Sequence, residues 1–148
     1  MNLLKQIISK AFPSDVFSRK YPVSIKGIIL INGKIVLLKN ERNEWELPGG
    51  KLDPNETPEQ CLVREMKEEL NINTEVQSLI DVWVYNILNK VNVLIITYLC
   101  KTLVIDPLEM KISSEHKELG LFTLGEIDKL NMPEGYKNSI KKALKIIM

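Results

Sequence analysis

The sequence lacks a marked excess of either charge and lacks a long apolar run. Its 148 residues carry 20 Lys and Arg against 19 Asp and Glu, a formal net charge of +1. That balance gives no basis for bulk attraction to nucleic acid or to an anionic membrane. No stretch approaches the roughly 18 apolar residues that a membrane span needs, and lysines interrupt the apolar residues near the N-terminus. We therefore expect no signal peptide, no membrane partner and no nucleic-acid partner.

Cysteine and histidine are also scarce. Cys61 and Cys100 match no metal-binding spacing, so we expect two reduced, buried thiols and a cytoplasmic setting. The single histidine, His116, is expected to be a polar loop residue rather than a catalyst. Globular composition without repeats or low-complexity tracts predicts one domain over residues 1–148, with 1–20 as an N-terminal helical extension.

The pattern of apolar residues predicts an α+β fold, an α/β/α layered domain around a mixed sheet. Asn32-Gly33 between two apolar runs is a strong hairpin signal. Asn89-Lys90 is the expected turn of a second hairpin, and Gly49-Gly50 is an expected glycine turn. The predicted strands are 22–31, 34–39, Trp45–Leu47, 74–88, 91–105 and 117–123; the predicted helices are 2–11, Pro58–Leu70 and Ser139–Met148.

The predicted helix Pro58–Leu70 has matching start and stop signals. Thr57 is a suitable N-cap, and a proline suits the first helical position. Asn71 follows the last helical residue, where a left-handed C-cap is needed.

The two terminal helices have apolar stripes whose partner the sequence leaves open. Packing on their own domain is the simpler interpretation of both, and a homodimer interface is the alternative. For helix 2–11, a position on a membrane surface is a further alternative.

Acidic residues crowd one flank of the central helix. Glu65, Glu68 and Glu69 lie three or four residues apart, which places them within about a quarter of the helix circumference. A separate apolar stripe, expected to pack on the sheet, consists of Leu62, Val63, Met66 and Leu70.

This crowding is a local liability. Each like-charged pair destabilises an isolated helix by roughly 0.2–0.5 kcal/mol, and the C-terminal end of a helix disfavours anions. A bound divalent cation compensates for such repulsion, since Mg²⁺ prefers carboxylate oxygens. A solvated helix face with Arg64 paired to Glu68 is the alternative.

The spacing of these residues resembles the signature box of the Nudix hydrolases. That pattern is Gly-x5-Glu-x7-Arg-Glu-U-x-Glu-Glu-x-Gly-U, with U aliphatic. Trp45-Glu46-Leu47-Pro48-Gly49 is similar to the family's approach to the box. Asn71 departs from the pattern by replacing Gly, and Asn tolerates the same capping conformation. The fixed positions that match are Gly50, Glu56, Arg64, Glu65, Glu68 and Glu69.

The resemblance implies an α/β/α sandwich with a mixed sheet and a site for Mg²⁺, with Mn²⁺ as an alternative. It implies a structural role for Gly50, Glu56 and Arg64. A later loop often adds a carboxylate, for which Glu115 and Glu118 are both candidates. The implied metal ligands are the Gly49 carbonyl, Glu65, Glu68 and Glu69.

The implied reaction is hydrolysis of the diphosphate linkage in a nucleoside diphosphate derivative. Glu65 is the preferred general base, Glu68 is its rival, and the loop glutamate is a third candidate. Two other functions are weighed: a nucleotide-binding module without catalysis, and a prenyl-diphosphate isomerase, for which Cys61 does not look like the required nucleophile.

The substrate lies outside the box. Trp45, Trp83 and Tyr85 are available to stack a base, with packing as the alternative for each. A small-molecule nucleotide is expected, with a preference for an ADP-ribose-like compound; a nucleoside triphosphate, a dinucleoside polyphosphate and a nucleotide sugar stay open.

Overall fold

A mixed seven-stranded sheet is the centre of the protein. The computed structural model describes residues 2–11, 19–103 and 106–148. The strands are β1 (Val23–Ile31), β2 (Lys34–Lys39), β3 (Trp45–Glu46), β4 (Gly49–Lys51), β5 (Thr74–Ile87), β6 (Val91–Thr102) and β7 (Glu118–Phe122). The helices are α1 (Leu3–Ala11), α2 (Pro58–Leu70), α3 (Leu124–Ile127) and α4 (Glu134–Ile147), with a 3₁₀ turn at Pro107–Glu109.

The sheet has the order β3-β2-β1-β6-β5, while β4 pairs with β1 and β7 pairs with β2. Only the β1–β6 pairing among these is parallel. Strand β1 changes its antiparallel partner along its length: residues 24–26 pair with β4 and residues 30–31 pair with β2. This change of partner places the short strand β4 beside the first half of β1, next to α2.

Each face of the sheet is covered by one helix. On one face, Leu62 and Met66 of α2 pack in a core with Ile25 of β1. On the other face, Tyr136 and Ile140 of α4 pack in a second core. These side chains are at most 2% exposed, and full burial of such a side chain contributes about 1.5–3 kcal/mol. The predicted layered architecture is therefore confirmed.

Helix α2 has the predicted bounds and caps. The Thr57 hydroxyl accepts a hydrogen bond from the Gln60 backbone N–H at 3.2 Å, and the Gln60 side chain accepts one from the Thr57 N–H at 2.9 Å. Such a cap contributes about 1 kcal/mol. Asn71 is in the left-handed conformation, with φ 55° and ψ 37°, so the C-cap prediction is confirmed. The caps fix the position of the acidic residues along the helix.

Three local predictions are wrong. Gly49-Gly50 belongs to strand β4 rather than to a turn, because both residues pair with β1. Leu88 is part of the hairpin turn with a φ of 52°, so β5 ends at Ile87. Helix α4 begins at Glu134, directly after a proline, instead of at Ser139. The short helix α3 was not predicted, and residues 104–105 of the predicted strand 91–105 lie outside the described residues.

The apolar stripes of two helices also differ from expectation. Leu3, Leu4 and Ile7 of α1 are 56–69% exposed, so the prediction that they pack on their own domain is wrong. Val63 of α2 is 42% exposed, while Cys61 is buried in its place. The sheet covers the flank of α2 that contains Cys61, and this leaves Val63 on the rim.

Two sequence predictions about the remaining features can be compared with the fold. Cys61 and Cys100 are both free and buried, as expected. Among the helices in the described parts of the chain, none combines the length and apolar character needed to cross a membrane.

Candidate functional site

Two glycines let strand β4 lie against the acidic flank of α2. A Cβ atom at Gly50 would collide with the Glu65 carboxylate. Gly49 has a φ of +134°, and a Cβ there would collide with the backbone carbonyl of Ile25. The Gly49 N–H donates a hydrogen bond to Oε2 of Glu69 at 2.9 Å. The strand therefore holds one glutamate through its backbone and makes room for the other by having no side chain.

Arg64 binds the carboxylates on the outer side of α2. Its Nε and Nη2 atoms donate to the two oxygens of Glu56 at 3.0 and 2.7 Å, a bidentate pair. Nη1 donates to Glu65 at 2.9 Å and to Glu68 at 3.2 Å. The bond from Arg64 is the main reason that the pKa of Glu56 is lowered to about 2. Arg64 thus ties the loop before α2 to two of the three helix glutamates.

The three helix glutamates do not share one environment. The side chain of Glu69 is 5% exposed and that of Glu65 is 13% exposed, whereas that of Glu68 is 60% exposed and turned to Arg64. Glu65 and Glu69 line one cavity and Glu68 does not, so the shared ligand of the three glutamates stays a prediction. The predicted alternative, an ion pair between Arg64 and Glu68, is present in this structure.

Burial makes Glu65 and Glu69 costly to ionise in spite of the cationic groups near them. Burial raises the pKa of Glu69 to about 7, against the opposing effects of Lys26 and of the bond from Gly49. Burial also raises the pKa of Glu65, against the effect of Arg64. Two carboxylates that are costly to ionise next to backbone carbonyls form a hard oxygen-donor set that fits Mg²⁺ or Mn²⁺. In the described ranges, no three His, Cys, Asp or Glu side chains are gathered as a preformed cage.

A second group of charges lies beneath this site. The Lys26 ammonium is 3.7 Å from the Glu46 carboxylate, and Nε2 of His116 is 3.1 Å from the other oxygen of Glu46. Burial opposes the ionisation of Glu46, but Lys26 and His116 together lower its pKa to about 2. Nδ1 of His116 lies 3.8 Å from Glu69. The hydrogen bond with Glu46 raises the pKa of His116.

Glu46, Glu65, Glu69 and His116 border a cavity of about 600 Å³, a size typical of small-molecule sites. Its wall combines the carboxylates of α2 with the loop after β2, the strand β4 and the loop before β7. Arg42 and Lys51 supply cationic side chains to the wall. The lining residues are Asn40, Glu41, Arg42, Glu46, Gly49, Gly50, Lys51, Glu65, Glu69, Glu115 and His116.

The two candidates for the loop carboxylate lie in different places. Glu115 lines the cavity. Glu118 is the first residue of β7, where its carboxylate accepts a hydrogen bond from Lys39 at 3.1 Å, and it does not line the cavity. Of the two candidates, Glu115 is therefore the one placed on the cavity wall.

The three aromatic residues expected to stack a base are outside this cavity. Trp45 is 7% exposed and packs edge-to-face on Phe122 with ring centres 4.7 Å apart. Trp83 packs on Tyr136, and the hydroxyl of Tyr85 donates to Glu44 at 2.9 Å. The packing alternative fits all three positions.

Cys61 is also outside the cavity. Its thiol is 3.4 Å from the Lys51 carbonyl oxygen, and burial raises its pKa to about 12. A thiol held in this way is a poor nucleophile, which agrees with the expectation that Cys61 is not an isomerase nucleophile.

Sequence reasoning missed several residues in and beneath the cavity wall, among them Lys26, Arg42, Glu46 and His116. One signal was present, because Lys26 interrupts the apolar strand Val23–Ile31, and a charge in a buried strand breaks the local rule. Arg42 and His116 lie on loops and Glu46 lies on a two-residue strand, and the contact between His116 and Glu46 joins residues 70 positions apart in the sequence.

Comparison with known proteins agrees with this geometry. A family model described as NUDIX domain matches residues 20–143. An 8-oxo-dGTP diphosphatase of Proteus vulgaris is 57% identical over 37 residues, which are 25% of this chain and 33% of that protein. An ADP-ribose pyrophosphatase of Methanocaldococcus jannaschii is 40% identical over 65 residues, 41% of this chain and 38% of that protein. The chain thus spans only a third to two fifths of the length of these two curated relatives.

The fold is similar to that of a MutT protein from Methanosarcina mazei Go1. The crystal structure of that protein superimposes with a TM-score of 0.72 at 25% sequence identity, and the match covers 84% of this chain and 93% of the other.

Proposed function

The chain belongs to the NUDIX family, and we propose that it hydrolyses the diphosphate linkage of a nucleoside diphosphate derivative with a divalent cation. The observation that carries the proposal is the position of Glu65 and Glu69. Both carboxylates are largely buried, both line the same cavity, and both contact the glycines of β4. Carboxylates in such a place are stabilised by a cation, and a cation on this wall attracts an anionic ligand.

The residues proposed to hold the cation are Glu65, Glu69 and the Gly49 carbonyl, with Glu68 as a further ligand after it leaves Arg64. Mg²⁺, or Mn²⁺ in its place, supplies positive charge to the diphosphate and increases the acidity of water.

Glu65 is proposed as the general base. Arg64 donates to its Oε1 atom at 2.9 Å, which fixes the direction of the carboxylate. Its raised pKa brings the group closer to the range in which a carboxylate accepts a proton well near neutral pH. Glu115, on the facing loop, is the alternative base.

Two cationic residues that line the cavity, Arg42 and Lys51, are proposed to bind phosphate. Arg42 and Lys51 lie on the same wall as the acids. The Asn40 side chain shapes the loop of Arg42, since its oxygen accepts the N–H groups of Arg42 at 2.9 Å and Glu44 at 3.2 Å. A fixed loop holds the guanidinium where a phosphate oxygen can reach it.

The substrate class is proposed as an ADP-ribose-like compound or a nucleoside triphosphate. The curated relatives named above differ between these two classes, 8-oxo-dGTP and ADP-ribose. The aromatic residues pack elsewhere, so polar contacts on the loop 40–42 are proposed to select the base or the second group. A cytoplasmic setting is proposed as well, in keeping with the two unpaired thiols.

The test is a panel of substrates with Mg²⁺: ADP-ribose, dNTPs, 8-oxo-dGTP, dinucleoside polyphosphates and a nucleotide sugar. Phosphate products are measured after each incubation. Turnover of at least one compound that disappears on chelation of the cation supports the proposal. Tight nucleotide binding with no turnover across the panel would instead favour a binding module.

A further inference from the structure

Lys26 is a buried lysine in the central strand β1. Its side chain is 7% exposed, and the rest of β1 is mostly apolar. Burial alone would lower its pKa, but the carboxylates of Glu46, Glu69 and Glu65 raise it above the usual value for lysine. The side chain is therefore a permanent positive charge inside the protein at any pH near neutral.

The position of Lys26 is unsuited to binding substrate. Lys26 pairs with Gly49 in the β1–β4 ladder, and its Nζ atom lies 3.5 Å from the Gly49 carbonyl oxygen. It does not line the cavity, whereas Glu46, Glu65 and Glu69 do. The ammonium thus lies behind the wall, where it acts on the wall by its charge and not by contact with a ligand.

Its surroundings are those of a counter-charge. The ammonium of Lys26 forms an ion pair with the Glu46 carboxylate at 3.7 Å. The same ammonium donates a hydrogen bond to the Gly49 carbonyl oxygen. Glu69 binds the N–H of the same glycine. One cation therefore stabilises three elements of the acidic wall when no other cation is present.

We propose that Lys26 is a built-in counter-charge, which keeps the acidic wall assembled without a metal and lowers the affinity of the wall for a divalent cation. This inference rests on the proposed function, because it concerns the same cation site. The physical reason is that a fixed positive charge repels a second cation at close range, most strongly where water is excluded.

A consequence concerns the order of binding. With Lys26 present, the free protein holds the cation weakly. A diphosphate adds negative charge to the cavity and offsets the ammonium, so cation and diphosphate each raise the affinity of the protein for the other. Lys26 thereby favours arrival of the cation together with the substrate.

The experiment is a titration of the substrate-free protein with Mn²⁺ alone and with Mg²⁺ alone by calorimetry, together with thermal unfolding. For Lys26→Met we expect the cation to bind on the order of tenfold more tightly than to the unchanged protein. The melting temperature without cation falls, and the rise in melting temperature on adding Mg²⁺ becomes larger. Lys26→Arg keeps the charge and is expected to bind the cation within about twofold of the unchanged protein.

Lys137→Met is the matched control. Lys137 is a second buried lysine, 7% exposed, but its ammonium donates to the Asp128 carbonyl near α4 and does not border the cavity. Its replacement is expected to lower the melting temperature and to leave the cation affinity unchanged. The control separates loss of a buried lysine in general from loss of the charge behind the wall.

Unchanged or weaker cation binding in Lys26→Met would overturn the inference, since simple structural damage weakens a site and does not tighten it. If Lys26→Met does not fold without cation, Lys26→Gln, which can still donate to the Gly49 carbonyl, decides the question in the same titration. Failure of the unchanged protein to bind either cation, with or without nucleotide, would contradict the proposed function itself.

Discussion

The carboxylate of Glu65 occupies the space that a side chain at Gly50 would need. The two residues belong to different elements, β4 and α2, and the missing side chain of one is the condition for the position of the other. The contact places the proposed general base next to the backbone of the strand that is proposed to hold the cation.

Replacement of Gly50 by Ala is therefore expected to impair activity more than folding. The added methyl displaces the flexible end of the Glu65 side chain. A displacement of about 1 Å in a catalytic group costs about 10²-fold in rate. The measurement is kcat with Mg²⁺, with the melting temperature measured in parallel.

Gly49→Ala is the contrasting variant. There the added methyl meets the Ile25 backbone and the φ of +134° is strained for any residue but glycine, at a cost of about 1–3 kcal/mol or more. We expect a drop of at least about 5 °C in melting temperature. Equal losses of stability in the two variants would contradict this account.

Replacement of the Glu65 carboxylate by an amide tests the assignment of Glu65 as the general base. Glu65→Gln keeps the shape and an oxygen for Arg64, but it does not take a proton, and we expect kcat to fall about 10²- to 10⁴-fold. Glu68→Gln, at the exposed end of the Arg64 pair, is expected to lose less. Full activity of both variants with Mg²⁺ would rule out Glu65 and Glu68 as the base.

A comparison of variants at Glu115 and Glu118 tests which of the two supplies the loop carboxylate. Glu115 lines the cavity and Glu118 pairs with Lys39 outside it. We expect Glu115→Gln to lower kcat/KM at least about tenfold, because a group in the cavity contributes to binding or proton transfer. Glu118→Gln is the control, with activity close to that of the unchanged protein. The reverse order of effects would show that the loop changes conformation when substrate binds.

Stability has a pH-dependent contribution far from the site. Asp81 on β5 accepts hydrogen bonds from Ser139 at 2.8 Å and from Lys142 at 2.7 Å on α4. Burial opposes ionisation of Asp81, but these two partners lower its pKa overall. The folded state therefore prefers the ionised form, and this stabilisation is present above the unfolded pKa of about 3.9 and is lost as the pH falls through the lower folded pKa.

Asp81→Asn is expected to lower the melting temperature at pH 7 by about 3–12 °C, through weakened hydrogen bonds to a charged group. The difference from the unchanged protein should be constant near neutral pH and should shrink below about pH 4. Lys141→Met is the control, because its pair with Asp128 is exposed on both sides and contributes little. A difference that does not shrink at any pH below about 4 would contradict the assignment to ionised Asp81.

Much of the local structure near the site was predictable from sequence. The caps Thr57 and Asn71 determine where α2 begins and ends, because side-chain and backbone groups a few residues apart satisfy each other. The Asn32-Gly33 hairpin was predictable because Asn and Gly both tolerate the positive φ that a two-residue turn needs, and both residues have positive φ. The bounds of α4 were missed, since Pro133 gives a start signal without a side-chain cap.

The sequence alone was sufficient to predict that three glutamates lie on one flank of a capped helix and that a pair of glycines precedes this helix. That follows from helical periodicity, which fixes angles between neighbours. The tertiary structure was needed to show that Glu65 and Glu69 face the cavity while Glu68 turns to Arg64, because the covered side of α2 depends on the sheet. It also brought Lys26, Glu46 and His116 together. No local rule relates residues on separate elements, and their proximity is decided by how the sheet and loops pack.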